Sequence, residues 1–297
     1  MLSTALWRSD LREGPRMPPC VIHAHLKKEF IEKKTRIIFV CCEKLSSQRM
    51  KPFRILDPTF PSRGLRGLCA LAVMTKAPRP GQVKTRLVPP LTPDEAVELN
   101  KCFLRDTATA ISRAATRNDA CGIAVYTPIG AESAYADILS ANFSLLPQRG
   151  AKFGERLWFA VKDLFKCGFE SVCLIDSDSP TVPPANFAQA VKSLKSIGDR
   201  VVLGPSEDGG YYLIGLNKPH RELFERIDWS TERVFEQTIE RASAIGLDIK
   251  CLPRGYDVDD RAGLRRLRDE LLRKNAPHSL SPHTRELLLD LAARKRL

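Results

Sequence analysis

From residue 68 onward, short unbroken apolar runs alternate with longer segments whose apolar residues recur every three or four positions. The runs at 68–74, 121–126, 143–146, 172–175, 201–204, 211–216 and 249–252 are too short for helices. They also lack the alternation of a half-exposed strand, so most read as strands buried on both faces of a parallel sheet. The segment 92–115 opens with helix-start chemistry: Thr92 as N-cap, Pro93 at the first helical position and Glu95 closing a capping box. In 153–165, Leu157, Ala160, Val161 and Leu164 share one helical face. Further helices are expected at 132–140, 184–195, 221–226, 264–273 and 284–293. Another is expected from 229, with Ser230 as N-cap and Val234, Thr238 and Ile239 inward. Strand and helix in turn predict an α/β fold of βαβ units with a mainly parallel sheet.

Residues 1–66 mix Pro, Arg and Lys around one apolar patch at 37–42 and keep no period. They read as a poorly ordered N-terminal extension to a domain at 67–297, with Met17, Met50 and Met74 as alternative starts. Charge sharpens this division. The chain carries a formal +12, but residues 1–66 hold 14 of the 47 Lys and Arg against 6 of the 35 Asp and Glu. The body is thus only mildly basic, which argues against a dedicated nucleic-acid face and fits a few cations gathered at a phosphate site. No apolar run approaches the ~20 residues of a membrane span, and no signal-peptide order is evident, so the cytoplasm is the expected location. Nine scattered cysteines without a Cys-x-x-Cys suggest neither a disulfide framework nor a zinc site.

Three stretches carry candidate chemistry. The run 172–175 ends in Asp176 and Asp178, at the carboxyl edge of a strand, where α/β sheets gather ligands. Two such carboxylates suit a hard divalent cation, and equally an Asx turn. The loop after the first strand sets Lys76, Arg79, Lys84 and Arg86 among Pro78, Pro80 and Gly81, either a phosphate cradle or a solvated basic turn. In 204–216, Gly209 and Gly210 permit positive φ or close ligand approach, and Asp208 could orient a sugar hydroxyl or a metal-bound water; Asp-Gly is also a hairpin signal. In 256–260, Asp259 and Asp260 precede a helix. They read either as caps or, for Asp259, as a ligand to the cation of Asp178.

With Lys84-Thr85-Arg86-Leu87, Asp178 before Ser-Pro, Gly204-Pro-x-x-Asp-Gly-Gly-Tyr-Tyr-Leu-Ile-Gly-Leu, Trp229-Ser-Thr and Tyr256-Asp-Val-Asp259 in this order, the chain resembles a bacterial GT-A-like transferase family. Its members are commonly labelled glycosyltransferases or radical-SAM/selenodomain-associated transferase 1. More distantly it is similar to the phospholactate guanylyltransferases. The resemblance implies the three-layer α/β/α nucleotide-diphospho-sugar transferase fold, and a nucleotide or nucleotide-sugar donor bound through Mg2+ or Mn2+ held by Asp178 and Asp259. It further implies a small-molecule acceptor, catalytic roles for Asp178, Lys84 and Asp208, and nucleotide or phosphate contacts from Lys76, Lys84, Arg86, Gly209 and Gly210. Gln148 and Gly154 would correspond to the base-reading pair of related nucleotidyltransferases. Where the family usually has Gly-Ser-Asp-Cys-Pro this chain has Asp176-Ser-Asp178-Ser-Pro, so Asp176 is an added carboxylate. Glycosyl transfer is the leading expectation. Nucleotidyl transfer, forming a nucleoside-diphosphate product from a nucleoside triphosphate and a phosphorylated acceptor, is the alternative, and a non-catalytic nucleotide-binding regulator comes third.

Overall fold

A computed structural model describes residues 53–296. The strands are β1 (Arg54–Ile55), β2 (Cys69–Lys76), β3 (Ala120–Thr127), β4 (Ser144–Pro147), β5 (Ser171–Ile175), β6 (Arg200–Pro205), β7 (Tyr211–Leu216) and β8 (Asp248–Cys251). Among the described residues they form one sheet in the order β1-β4-β3-β2-β5-β7-β6-β8. Only β7 runs against its neighbours, because the turn at 206–210 folds it back on β6 as a hairpin. The other strands therefore end on the same edge.

Six α-helices complete the described chain: α1 (Pro93–Thr116), α2 (Phe153–Cys167), α3 (Pro184–Leu194), α4 (Val234–Ala244), α5 (Arg261–Leu272) and α6 (Pro282–Ala293). Each central strand feeds two cores, which is why its sequence does not alternate. From β2, Leu71 and Val73 pack with Leu104 and Ile111 of α1 and Phe187 and Val191 of α3. Ala70 and Ala72 face the other way, into the layer of Leu157, Val161 and Leu164 of α2 and Ala242 of α4. The expected three-layer α/β/α arrangement is present. The capping box at Thr92 and Glu95 is formed in both directions, and Asp260 caps α5 by accepting from the Gly263 N–H at 2.8 Å.

A third, smaller core lies beyond the far side of α1. Leu99 and Phe103 of α1 meet Leu87 and Leu91 of the basic loop, Val258, Leu264 and Leu267 of α5, and Leu288 and Leu291 of α6. It clamps the loop that carries Lys84 against the loop that carries Asp259. Fixing those two loops is what the C-terminal helices contribute.

Four expectations are corrected. Residues 53–66 are part of the body: β1 pairs in parallel with β4, Leu56 and Leu65 are buried in the second core, and the Ser62 N–H donates to the Cys167 carbonyl at 2.9 Å. A two-residue strand has no period to detect, so the boundary expected at 66 fell too late; residues 1–52 lie outside the described residues. The segments 132–140 and 221–226 hold only 3-10 turns, Glu132–Tyr135 and Arg221–Phe224, and the helical spacing of the first serves to bury Tyr135, Ile138 and Leu139. Ser230 is not a helix cap. It is left-handed at φ 67, and α4 begins only at Val234, after the Glu232 main chain has passed against Gly209. Among the described residues no helix is long and apolar enough to cross a membrane.

Candidate active site

The carboxyl edge collects the loop after β2, the Asp176–Asp178 turn after β5, the hairpin after β6 and the loop from β8 into α5. Two of these are tied together through the backbone: the Val258 N–H donates to the Asp178 carbonyl at 3.0 Å. Asp178 and Asp259, 81 positions apart, thus arrive side by side.

Between them sits Lys84. Its Nζ lies 2.6 Å from Asp178 Oδ1 and 2.9 Å from Asp259 Oδ1, and it donates to the Val258 carbonyl at 2.8 Å. The lysine side chain is 4% exposed, whereas the two carboxylates are 34% and 46% exposed, so the ammonium is shut in and the acids face outward. Burial pushes the Lys84 pKa down, but the charges of Asp178 and Asp259 outweigh it and hold the ammonium above its ordinary value. Lys84 is therefore no solvated turn residue. The ring of Phe103, 5.3 Å from Nζ, closes its back.

This bridge stands between two cavities. One, of about 270 Å³, is lined by Lys76, Lys84, Arg86, Asn100, Asp178 and Asp259 among others. Lys76 and Arg86 are exposed and make no ion pair among the described residues. Asn100 is 6% exposed, and its Oδ1 meets no hydrogen-bond partner among the described residues. Nothing in the sequence singled it out, since an Asn on a helix reads as a surface residue. The second cavity, of about 920 Å³, has apolar walls from Met74, Phe153, Leu157 and Trp229, and an acidic floor of Asp176, Asp178, Asp208, Asp257 and Asp259. Phe153 and Trp229 meet edge-to-face with centroids 5.3 Å apart.

The acids of this floor differ in environment. Asp176 accepts from the Ser179 hydroxyl at 2.7 Å. Burial, then the charge of Asp178, holds it well above the usual carboxylate range, with the Ser179 hydrogen bond and the Lys84 charge opposing. Asp257, which sequence reasoning passed over, is raised by burial and by the charges of Asp208 and Asp259. Asp208 is exposed and fixes the turn by accepting from the Gly210 N–H at 3.0 Å.

Three residues expected on the nucleotide side have roles in the fold. The Gln148 amide donates to the Thr75 and Val125 carbonyls at 3.1 and 2.8 Å, bracing the ends of β2 and β3, and lines neither cavity. Gly154 is bare to admit Trp229: a β-carbon there would fall 2.4 Å from the indole nitrogen. Gly209, at φ 86, lets the Glu232 main chain approach, with its carbonyl oxygen 2.1 Å from where a β-carbon would sit. Gly210 does line the large cleft.

Among the described residues no three metal-ligating side chains cluster. A pair of outward-facing carboxylates beside a basic pocket nevertheless fits a magnesium-type ion, which keeps several positions for water and substrate phosphates.

Fold and site together define a transferase of the GT-A-like class. Residues 110–231 match a family model described as an uncharacterized protein conserved in bacteria (DUF2064). The structure is similar to that of a protein provisionally assigned as a nucleotide-diphospho-sugar transferase from Desulfovibrio desulfuricans G20, with a TM-score of 0.68 and 28% identity over 78% of this chain and 98% of that one. Looser similarity extends to a nucleotidyl transferase from Methanothermobacter thermautotroptrophicus, with a TM-score of 0.45 and 15% identity over 70% of this chain and 100% of that one. A cytidylyltransferase from Leptospira borgpetersenii serovar Hardjo-bovis aligns with a TM-score of 0.44 and 10% identity over 76% of this chain and 94% of that one. No curated protein matches the sequence.

Proposed function

We propose that the protein is a metal-dependent transferase that takes a nucleotide-sugar donor and passes the glycosyl group to a small-molecule acceptor. The observation that carries this reading is the convergence of Asp178 and Asp259 at the wall between a small cationic pocket and a large cleft. Phosphates would lie toward Lys76 and Arg86, where Arg can make two parallel contacts and Lys supplies a point charge. Asp178 and Asp259 would hold Mg2+ or Mn2+, which when bound supplies charge neutralisation at the diphosphate.

The large cleft would then receive the sugar and acceptor. Transfer forms a bond from the acceptor nucleophile to the anomeric carbon and breaks the bond from that carbon to the β-phosphate oxygen, which keeps the electron pair. The acceptor's proton passes to a carboxylate. Asp257 and Asp208 line the cleft, and burial raises the Asp257 pKa above the ordinary carboxylate value, which makes it a stronger base than a free carboxylate.

One observation favours the second reading. The small pocket, about 270 Å³ with three cations on its lining, suits a pyrophosphate leaving group as released in nucleotidyl transfer. The products separate the two: a nucleoside diphosphate from a nucleotide sugar, or pyrophosphate from a nucleoside triphosphate. Screening both donor classes with Mg2+ or Mn2+ by thermal shift, then by product, tests the proposal. Pyrophosphate release would replace the leading reading with the second, and a panel in which no nucleotide raises the melting temperature would sink both.

A further inference from the structure

The Lys84 ammonium is already engaged by the acids. It donates to Asp259 Oδ1 at 2.9 Å and to the Val258 carbonyl at 2.8 Å, and it is ion-paired with Asp178 Oδ1 at 2.6 Å. In this arrangement it is committed to the two carboxylates and not to a phosphate, although its side chain lines the cationic pocket. The backbone is held to match: Lys84 is left-handed, at φ 48 and ψ 37. A side chain tolerates that conformation only where its surroundings enforce it, and such strain gathers at switching and binding sites.

We propose that Lys84 is the protein's own cation for the Asp178 and Asp259 pair, and that it and a divalent metal exclude one another there. The inference rests on the metal-dependent reading above. A divalent ion drawing on both carboxylates would face a monovalent charge already within 2.9 Å of each, and like charges brought that close repel one another. Releasing the ammonium relieves that repulsion but leaves a buried cation in need of acceptors. The pocket offers Asn100 Oδ1, which meets no donor among the described residues, and bound phosphates would supply the rest.

Two consequences follow from this exchange. Metal alone binds poorly, because nothing repays the displaced lysine. Nucleotide phosphates take the lysine over, so metal and nucleotide strengthen each other, and by linkage the effect is mutual. Without ligand, Lys84 keeps the two acids from repelling and holds the basic loop against the loop of Asp259.

The test uses the full chain and Mn2+, with free ion read by electron paramagnetic resonance. Without nucleotide, Lys84→Gln should bind Mn2+ at least about tenfold more tightly than the wild type, a modest share of the repulsion removed. The gain should vanish in Lys84→Gln/Asp178→Asn. Should Lys84→Gln fail to fold, the wild type suffices: reductive methylation, located by mass spectrometry, should leave Lys84 largely unmodified in the free protein and label it at saturating Mn2+. Equal or weaker Mn2+ binding by Lys84→Gln, or a Lys84 still protected at saturating Mn2+, overturns the exchange. If the wild type binds Mn2+ only with nucleotide while Lys84→Gln gains nothing, the exchange fails and the metal-dependent reading survives. If Mn2+ binds neither protein, with or without nucleotide, both fail.

Discussion

Replacing Asp106 by Ala should loosen the C-terminal helix and, through it, the site. Asp106 lies in α1 at 4% exposure, yet it caps α6, which begins 176 positions later. Its carboxylate accepts from the His283 N–H at 3.1 Å, the Thr284 N–H at 2.9 Å and the Thr284 hydroxyl at 2.6 Å. The helix has no local substitute, because Ser281 at its start is left-handed at φ 42 and makes no side-chain cap. Loss of a capping carboxylate costs about 0.5 to 2 kcal/mol, and stranding the fully buried Thr284 hydroxyl costs about 1 to 3 kcal/mol more. Removing the acid also returns the cost of burying it, so the net should be about 3 kcal/mol. For a body of this size that lowers the melting temperature by about 6 to 12 °C, at roughly 2 to 4 °C per kcal/mol. Because Leu288 and Leu291 of α6 share a core with Leu87 and Val258, nucleotide binding should weaken even at temperatures where the variant is folded. A melting temperature within ~2 °C of the wild type, a shift of no more than about 1 kcal/mol, would refute the cross-chain cap.

The same residue has a pH signature. Burial raises the Asp106 pKa above its ordinary 3.8, with the hydrogen bonds from Thr284 and His283 opposing. The folded protein therefore holds this proton more tightly than the unfolded chain does. The resulting stability is fully present below the unfolded pKa and is lost as pH rises through the folded one. Asp106→Asn cannot ionise, so its melting temperature should gain on the wild type over that window, and a gap that widens instead would contradict the sign.

A chain beginning at Gly67 should melt at least ~5 °C below one beginning at Phe53, since it loses β1 and the buried Leu56 and Leu65, each contributing roughly 1.5 to 3 kcal/mol; equal melting would return 53–66 to the role of a dispensable extension. Gly209→Ala should destabilise by about 2 kcal/mol or more, combining a strained φ with the Glu232 backbone in the way. Gly246→Ala, at φ 72 with open space around it, should cost clearly less in the same melts. Asp178→Asn or Asp259→Asn should abolish the metal dependence of nucleotide binding in calorimetry while the domain stays folded; retained dependence in both would remove the acids from the metal role.

How far the sequence was legible depends on the range of the interaction responsible. Unbroken apolar runs mark strands because a parallel sheet covered on both faces leaves no polar alternation, and β2 and β5 show this directly. Thr92, Pro93 and Glu95 mark a helix start because the cap is completed within four residues. The turn chemistry of Asp208 and Gly209 made the hairpin readable for the same reason. Asp178 and Asp259 could be suspected from strand ends, since such ends converge at one edge of any sheet of this kind.

Features made by distant partners left no local trace. That Gln148 braces the sheet, and that Gly154 and Gly209 make room for Trp229 and Glu232, depends on what packs against them and not on their neighbours in the chain. The cap of α6 by Asp106 is equally silent, because an acid in the middle of a helix reads as exposed until the helix that needs it arrives. The sequence by itself determined the α/β class, the order of the strands from β2 onward and the candidate acids Asp178 and Asp259, all of them consequences of short-range pattern. Only the tertiary structure decided that Lys84 lies between those acids, because a buried ammonium is stable only where acceptors from two separated loops, at Asp178 and at Val258 and Asp259, meet it at once.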